Sequence, residues 1–199
     1  MQSASISLLP LSGEHHAPAL QYVYDLTPSY WRMYGLASSA PDQAARDIQE
    51  GAETPGRYMM GIVRQIAAKE RQPAIQPETQ PAIQPATQPE TQIGAGPQAE
   101  LVGLADLRLH WPQRDIGYLG MLMVAGPYHR QGIGTQTWQL LRPWLADTAQ
   151  MKTMRLGVEQ FNIRAMKFFE SIGFHLTGEA NRVKSGERLI KLMYMEQTL

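Results

Sequence analysis

The chain has 199 residues, of which 43% are hydrophobic, enough for one ordinary domain with a real core. It has no run of 18 apolar residues and no charged N-terminal region followed by an apolar stretch, so we expect a cytoplasmic protein without a membrane partner. The 18 basic and 18 acidic residues cancel, which gives no indication of nucleic-acid binding. Cysteine is absent and the five histidines lack metal-binding spacing, so disulfides, thiolate nucleophiles and a metal site are not expected.

The N-terminal part of the sequence predicts a strand followed by helices. Ser5–Leu9 alternates as a short strand, and Glu14–Asp25 and Pro41–Glu53 have helical spacing or helix-start residues. Between the two helices lies an aromatic stretch, Tyr30–Tyr34. Its rings either pack in a core or interface, or form a wall that binds an alkylammonium ion by cation–π contact.

A low-complexity repeat interrupts the middle of the chain. Gln72–Thr91 consists of five Gln-Pro quartets, and proline at every fourth position is incompatible with a helix or a strand ladder. We therefore expect residues 69–99 to be disordered, either as a tolerated surface loop or as a Pro-rich segment that binds a partner. The flanking stretches Arg57–Gln65 and Glu100–His110 are predicted to be strands, and if they pair as a hairpin the repeat is its long tip.

The C-terminal half alternates strands with amphipathic helices. The predicted elements are strand Ile116–Val124, helix Gly132–Thr148 bent at Pro143, strand Thr153–Val158, helix Asn162–Ile172 and strands Phe174–Arg182 and Arg188–Met195. The elements together predict a single mixed α/β (α+β) domain over residues 1–199.

The most informative segment is the turn between a strand and a helix at residues 121–135. Gly132 and Gly134 remove side chains that would block an anion from the first backbone N–H groups of the helix, and Arg130 adds a charged donor. Two glycines at a helix start also permit close packing without any ligand. A nucleoside-triphosphate loop would need Gly-Lys-Ser/Thr, and a dinucleotide loop a third glycine where Thr137 stands.

At these residues the chain resembles the GNAT superfamily of acyl-coenzyme-A-dependent N-acyltransferases. Residues 129–134 read His-Arg-Gln-Gly-Ile-Gly, similar to the family signature Gln/Arg-x-x-Gly-x-Gly/Ala. Residues 162–174 contain Asn162, Ala165, Phe168, Phe169, Gly173 and Phe174, similar to the family's Asn-containing helix that ends in Gly-Phe. The resemblance is clear over residues 100–195.

The resemblance implies a mixed, mostly antiparallel central sheet with a splayed parallel pair of strands, flanked by about four helices. It also implies an N-acetyltransferase that moves an acetyl group from acetyl-CoA to a primary amine by direct attack in a ternary complex. The acceptor would be a small-molecule amine or a protein amino group, and the protein a monomer or homodimer. The implied cofactor-binding residues are Leu122, Met123, Val124, His129, Arg130, Gln131, Gly132, Ile133, Gly134, Thr135, Asn162 and Phe169.

The resemblance also implies catalytic groups. The backbone N–H of Leu122 would polarise the thioester carbonyl, and Glu159, or else Asp106 or a chain of water molecules, would take a proton from the amine. Phe169 stands where many members have a tyrosine that protonates the departing thiolate, so Tyr128, Tyr194 or water would replace it, or the thiolate would leave unassisted. A non-catalytic acyl-CoA-binding module or sensor is the alternative function.

Overall fold

The computed structural model describes residues 5–65, 99–185 and 188–199. The predicted disordered loop at residues 69–99 lies outside the described residues, except for Ala99, which begins a strand. Within the described residues there are seven strands and five α-helices. The strands are β1 Ile6–Pro10, β2 Arg57–Gln65, β3 Ala99–Arg108, β4 Ile116–Val124, β5 Thr153–Glu159, β6 His175–Ser185 and β7 Arg188–Thr198. The helices are α1 Ala17–Asp25, α2 Pro28–Met33, α3 Gln43–Glu53, α4 Ile133–Pro143 and α5 Ile163–Ser171.

The seven strands form one sheet in the order β1-β2-β3-β4-β5-β7-β6. Every neighbouring pair is antiparallel except β4 and β5, which are parallel. This confirms the expected mixed, mostly antiparallel sheet with one parallel pair. The short aromatic segment forms a helix of its own, α2, because Pro28 can occupy the first helical turn without losing a hydrogen bond.

Helices cover both faces of the sheet, and each face has its own hydrophobic core. Neighbouring residues of β3 belong to different cores. Leu104 packs with the α1 and α3 side chains, whereas its neighbour Ala105 packs with the α4 and α5 side chains. The cause is the alternation of side chains along a strand. The α4 helix is shorter than the predicted Gly132–Thr148, because Pro143 cannot donate a backbone hydrogen bond and the chain continues as one π-helical turn at Trp144–Thr148.

Two strands that are distant in sequence flank the Gln/Pro repeat and pair directly with each other. β2 and β3 are antiparallel from Arg57↔Arg108 to Gln65↔Ala99. The predicted hairpin pairing is therefore correct, and its ladder closes at the two residues next to the undescribed segment. No helix within the described residues is long and apolar enough to cross a membrane.

Deleting Gln72–Thr91 should leave the stability of the domain nearly unchanged, because the β2–β3 ladder stays intact and loop-closure free energy depends only weakly on loop length. Urea unfolding of the deletion variant and of the full chain measures this. A loss of more than about 2 kcal/mol would mean that the repeat packs on the domain, against the expectation of disorder.

Candidate active site

The site begins where β4 and β5 separate. Their parallel pairing runs from Ile116↔Thr153 to Leu119↔Leu156 and ends there, although both strands continue. At the same place β4 has one residue more than β3 opposite it: Leu119 pairs with Leu107 and Met121 with Asp106, so Gly120 is left as a bulge. A bulge bends its strand and increases the local twist, which explains why β4 turns away from β5 here.

The separation of the strands leaves main-chain groups of β4 without a neighbouring strand. Ala125 donates its N–H to Val102 on β3, and the Met123 carbonyl lies against Gly103 on the same strand. Because successive residues direct these groups to opposite sides of a strand, those of Leu122 and Val124 face the opening toward β5. The Leu122 N–H, which is the predicted oxyanion donor, therefore faces the opening, whereas the main-chain groups of Met123 face β3.

A cavity of about 550 Å³ fills this opening. Its walls are the two diverging strands, the turn before α4, the first two turns of α5 and helix α2. The predicted site residues that line it are Leu122, Met123, Val124, His129, Arg130, Gly132, Ile133, Gly134, Thr135, Glu159, Asn162 and Phe169. The tertiary structure thus brings together nearly all of the predicted set, and Gln131 and Asp106 are not among the lining residues.

The turn before α4 offers its backbone amides to the cavity. Gly132 is the N-cap of α4 in a left-handed conformation (φ 77°), and the first intrahelical bond is donated by Gln136 to the Gly132 carbonyl at 2.9 Å. The N–H groups of Ile133, Gly134 and Thr135 consequently have no acceptor within the helix and lie at the positive end of its dipole. Three adjacent N–H groups at a helix start are suited to bind an anionic group.

Glycine is required at the two positions of the turn for different structural reasons. A Cβ on Gly132 would meet only the end of the Gln136 side chain at 3.7 Å, so this glycine is required by its backbone angle and leaves open space in the cavity. A Cβ on Gly134 would lie 3.0 Å from the Phe168 ring, so this glycine also lets α4 and α5 pack closely. The packing interpretation of the sequence therefore applies at Gly134, whereas the space beside Gly132 is compatible with the anion-site interpretation.

His129 and Tyr128 hold the turn in place. The His129 ring lies 2.7 Å from the Val124 carbonyl through Nε2, which links the turn to the end of β4. The Tyr128 hydroxyl donates to Glu100 at 2.9 Å, and Arg64, which pairs with the other oxygen of Glu100 at 2.9 Å, lies over the Tyr128 ring. The Tyr128 hydroxyl is thus bonded to Glu100 and not directed into the cavity. Burial and the hydrogen bond with Glu100 raise the pKa of Tyr128 to about 12.

The two predicted base candidates have different surroundings. Glu159 lines the cavity at the end of β5 and accepts a hydrogen bond from the Tyr34 hydroxyl. Asp106 lies on β3 in a smaller cavity of about 160 Å³, where Arg57 binds both of its oxygens at 2.8–3.2 Å. Burial raises the pKa of Asp106, and its hydrogen bonds with Arg57 act in the opposite direction.

The cavity is lined by side chains of both charges. Arg130 of the turn and Arg164 of α5 line it, and Glu159 lies on β5, across the splay from β4, where it bonds with Tyr34. Burial is the main cause that raises the pKa of Tyr30 to about 12. Of the aromatic stretch, Tyr30 and Tyr34 line the cavity, whereas Trp31 is buried in the core.

Sequence reasoning missed several lining residues. No motif marks four of these residues, which are Arg164, Thr27, Ser29 and Met33. For Arg164 the only available signal is a cation in the first turn of a helix that begins at Asn162, whose side chain caps that helix by accepting from the Ala165 N–H at 3.2 Å. Within the described residues no group of three or more His, Asp or Glu side chains is placed to hold a metal ion.

Comparison with known proteins decides the family. Residues 61–174, more than half of the chain, match the acetyltransferase (GNAT) family. The chain belongs to this family. No curated protein matches it in sequence.

Solved structures of several acetyltransferases share the fold at low sequence identity. An acetyltransferase from Thermus thermophilus has a TM-score of 0.66 at 21% identity, with 100% of both chains covered. Spermidine N-acetyltransferase from Vibrio cholerae, in complex with CoA and spermine, has a TM-score of 0.64 at 10% identity, covering 97% of this chain and 95% of that one. PaiA N-acetyltransferase from Thermoplasma acidophilum, in complex with coenzyme A, has a TM-score of 0.59 at 16% identity, covering 98% and 99%.

The Gly132→Val substitution should weaken coenzyme A binding by at least about tenfold, because a branched side chain would fill the open space in front of the turn amides. Left-handed backbone strain should lower the free energy of unfolding by about 1–2 kcal/mol. Isothermal titration with coenzyme A and urea unfolding measure the two effects.

Gly178→Val is the matched control for that substitution. Gly178 has a similar backbone angle (φ 84°), nothing within 4 Å of its added Cβ, and a place on β6 outside the cavity lining. It should lose comparable stability and keep its affinity for coenzyme A. Normal binding by a destabilised Gly132→Val would assign the glycine to backbone conformation alone.

Proposed function

We propose that this protein is an N-acetyltransferase that moves an acetyl group from acetyl-CoA to a primary amine by direct attack in a ternary complex. The observation that carries the proposal is the cavity between β4 and β5, which is lined both by the glycine turn that follows β4 and by the Glu159 carboxylate of β5. The two relatives that hold coenzyme A support the choice of donor, and the spermidine N-acetyltransferase supports an amine acceptor.

The donor fits the residues at the turn. The amides of Ile133, Gly134 and Thr135 would hold the pyrophosphate, and Arg130 and Arg164 would add charged donors at its edge. The open space beside Gly132 is what a diphosphate needs to approach these amides. His129, which is bonded to the Val124 carbonyl, would act on this site by fixing the turn rather than through the charge of its ring.

The reaction needs a main-chain donor and a base. The Leu122 N–H, which faces the opening, would stabilise the oxygen of the thioester carbonyl as negative charge develops on it. The amine nitrogen would bond to the carbonyl carbon while the carbon–sulfur bond breaks and the sulfur leaves with the electron pair. Glu159 would accept the proton that the amine nitrogen loses.

Glu159 is a better candidate for the base than Asp106. Its carboxylate lines the main cavity, whereas Asp106 lies in the smaller one and forms an ion pair with Arg57. Phe169 is buried between Phe168 and Phe174 and has no proton to donate. With Tyr128 bonded to Glu100, we propose that the thiolate leaves unassisted or takes a proton from water.

Acetyl-CoA should raise the melting temperature, whereas NAD and ATP should not, because the turn has the amides for a diphosphate but neither the lysine nor the third glycine of the nucleotide loops. At a hundredfold excess over Kd the expected rise is about 5–10 °C. Differential scanning fluorimetry at matched concentrations measures it. An equal rise with ATP would contradict the assignment of the cofactor.

Release of free coenzyme A with a panel of primary amines tests catalysis itself. With the amine that supports turnover, Glu159→Gln should lower kcat at neutral pH by about 10²-fold and leave acetyl-CoA affinity unchanged, because it removes a proton acceptor and keeps the shape. The loss should shrink as pH rises, since the amine then loses its proton unaided.

Glu170→Gln, on the exposed side of α5 and outside the cavity lining, is the matched control and should have wild-type turnover. Equal turnover by Glu159→Gln and wild type at every pH would exclude Glu159 as the base. Acetyl-CoA binding without release of coenzyme A for any amine would favour the non-catalytic acyl-CoA binder.

A further inference from the structure

Tyr34 forms a contact that no sequence motif predicts. Its hydroxyl donates a hydrogen bond to Oε1 of Glu159, which lies 125 positions away in the sequence. Tyr34 follows α2 directly and precedes the family-matched residues 61–174, whereas Glu159 lies within them. The N-terminal part of this chain therefore supplies a partner for the proposed base.

The other oxygen of Glu159 also has a donor. Asn162 Nδ2 lies 3.5 Å from Oε2 of Glu159, and Oδ1 of the same side chain accepts from the Ala165 N–H at the start of α5. The cap fixes the Asn162 amide, so its donor side is directed toward Glu159. With a donor on each oxygen, rotation of the carboxylate away from the cavity would break at least one hydrogen bond.

Tyr34 is itself held by the packing of α2. Trp31 is buried and its indole N–H donates to the Tyr24 carbonyl at 3.0 Å. The Tyr30 ring packs edge-on against both Trp31 and Tyr34, with centroids 5.1 and 5.2 Å apart. The Tyr34 hydroxyl is thus preorganised by the core before any ligand binds.

The Tyr34 hydroxyl keeps its proton and therefore remains a hydrogen-bond donor. Burial, followed by the neighbouring Tyr30 and Glu159, raises the pKa of Tyr34 far above its ordinary value. A phenol with a raised pKa keeps its proton over the whole range in which proteins are active, so it continues to donate to Glu159. The same property makes it a poor proton source for a departing thiolate.

We propose that Tyr34 is a positioning residue for acyl transfer, which holds the Glu159 carboxylate at the acceptor side of the cavity in the orientation that accepts the proton of the amine. This inference rests on the proposed function. It assigns to α2 a role in the chemistry, beyond forming a wall of the cavity.

The test is a double-mutant cycle of Tyr34→Phe and Glu159→Gln, measured as coenzyme A release with the best amine of the panel. Tyr34→Phe should lower kcat by about tenfold and leave the KM for acetyl-CoA within twofold, because it removes one hydrogen bond to a charged group and keeps the ring. In the Glu159→Gln background the same change should alter kcat by less than about twofold, since residues that act through one another are not additive.

Tyr58→Phe is the matched control, since Tyr58 is an exposed tyrosine on β2 outside the cavity, and it should have wild-type kinetics. A purely structural role for Tyr34 would give equal effects of Tyr34→Phe in both backgrounds, together with a changed KM, and would overturn the inference. If Glu159→Gln lowers kcat and Tyr34→Phe does not, the inference fails while the proposed function stands. If the wild type releases no coenzyme A with any amine, both fail.

Discussion

The extra residue of β4, Gly120, lies where the cavity between β4 and β5 opens, and the rest of the site depends on this opening. It shifts the register of β4 against β3 at the position where β4 stops pairing with β5. A parallel pair that continued to the ends of both strands would satisfy the amides of Leu122 and Val124 and would leave no space between the strands. Because the strands separate, the main-chain groups of Leu122 and Val124 face the opening, and the turn that follows β4 lines the same cavity as Glu159 on β5.

The surrounding packing keeps this opening in one shape. The turn is tied to β4 through His129 and Val124, and to the paired strands β2 and β3 through Tyr128 and Glu100. Glu100 stands two residues after the undescribed segment that contains the Gln/Pro repeat. The two strands that flank the low-complexity segment therefore also support the turn before α4.

The wall of the cavity that α2 forms comes from a different part of the chain than the splayed strands and the turn. Residues 61–174 carry the splay, the turn and Glu159, whereas α2, with Tyr30 and Tyr34, comes from the preceding segment. Trp31 anchors α2 in the core that α1 and α3 form on one face of the sheet. In the proposed reaction, residues outside the matched family region would therefore help to select the amine, whereas residues within that region would bind the donor.

The sequence by itself determined the strands on both sides of the repeat, the glycine turn and the family, because strand alternation, proline positions and helix-start glycines are local properties of the chain. It also marked Glu159 and the aromatic stretch as candidates. It did not separate Glu159 from Asp106, since both are carboxylates on strands of the same sheet. Only the tertiary structure decided that Arg57 binds the Asp106 carboxylate and that the Tyr34 hydroxyl donates to Glu159. The physical reason is that these contacts depend on strand order, register and the position of α2 on the sheet, which are set by the packing of the whole domain and not by any local pattern.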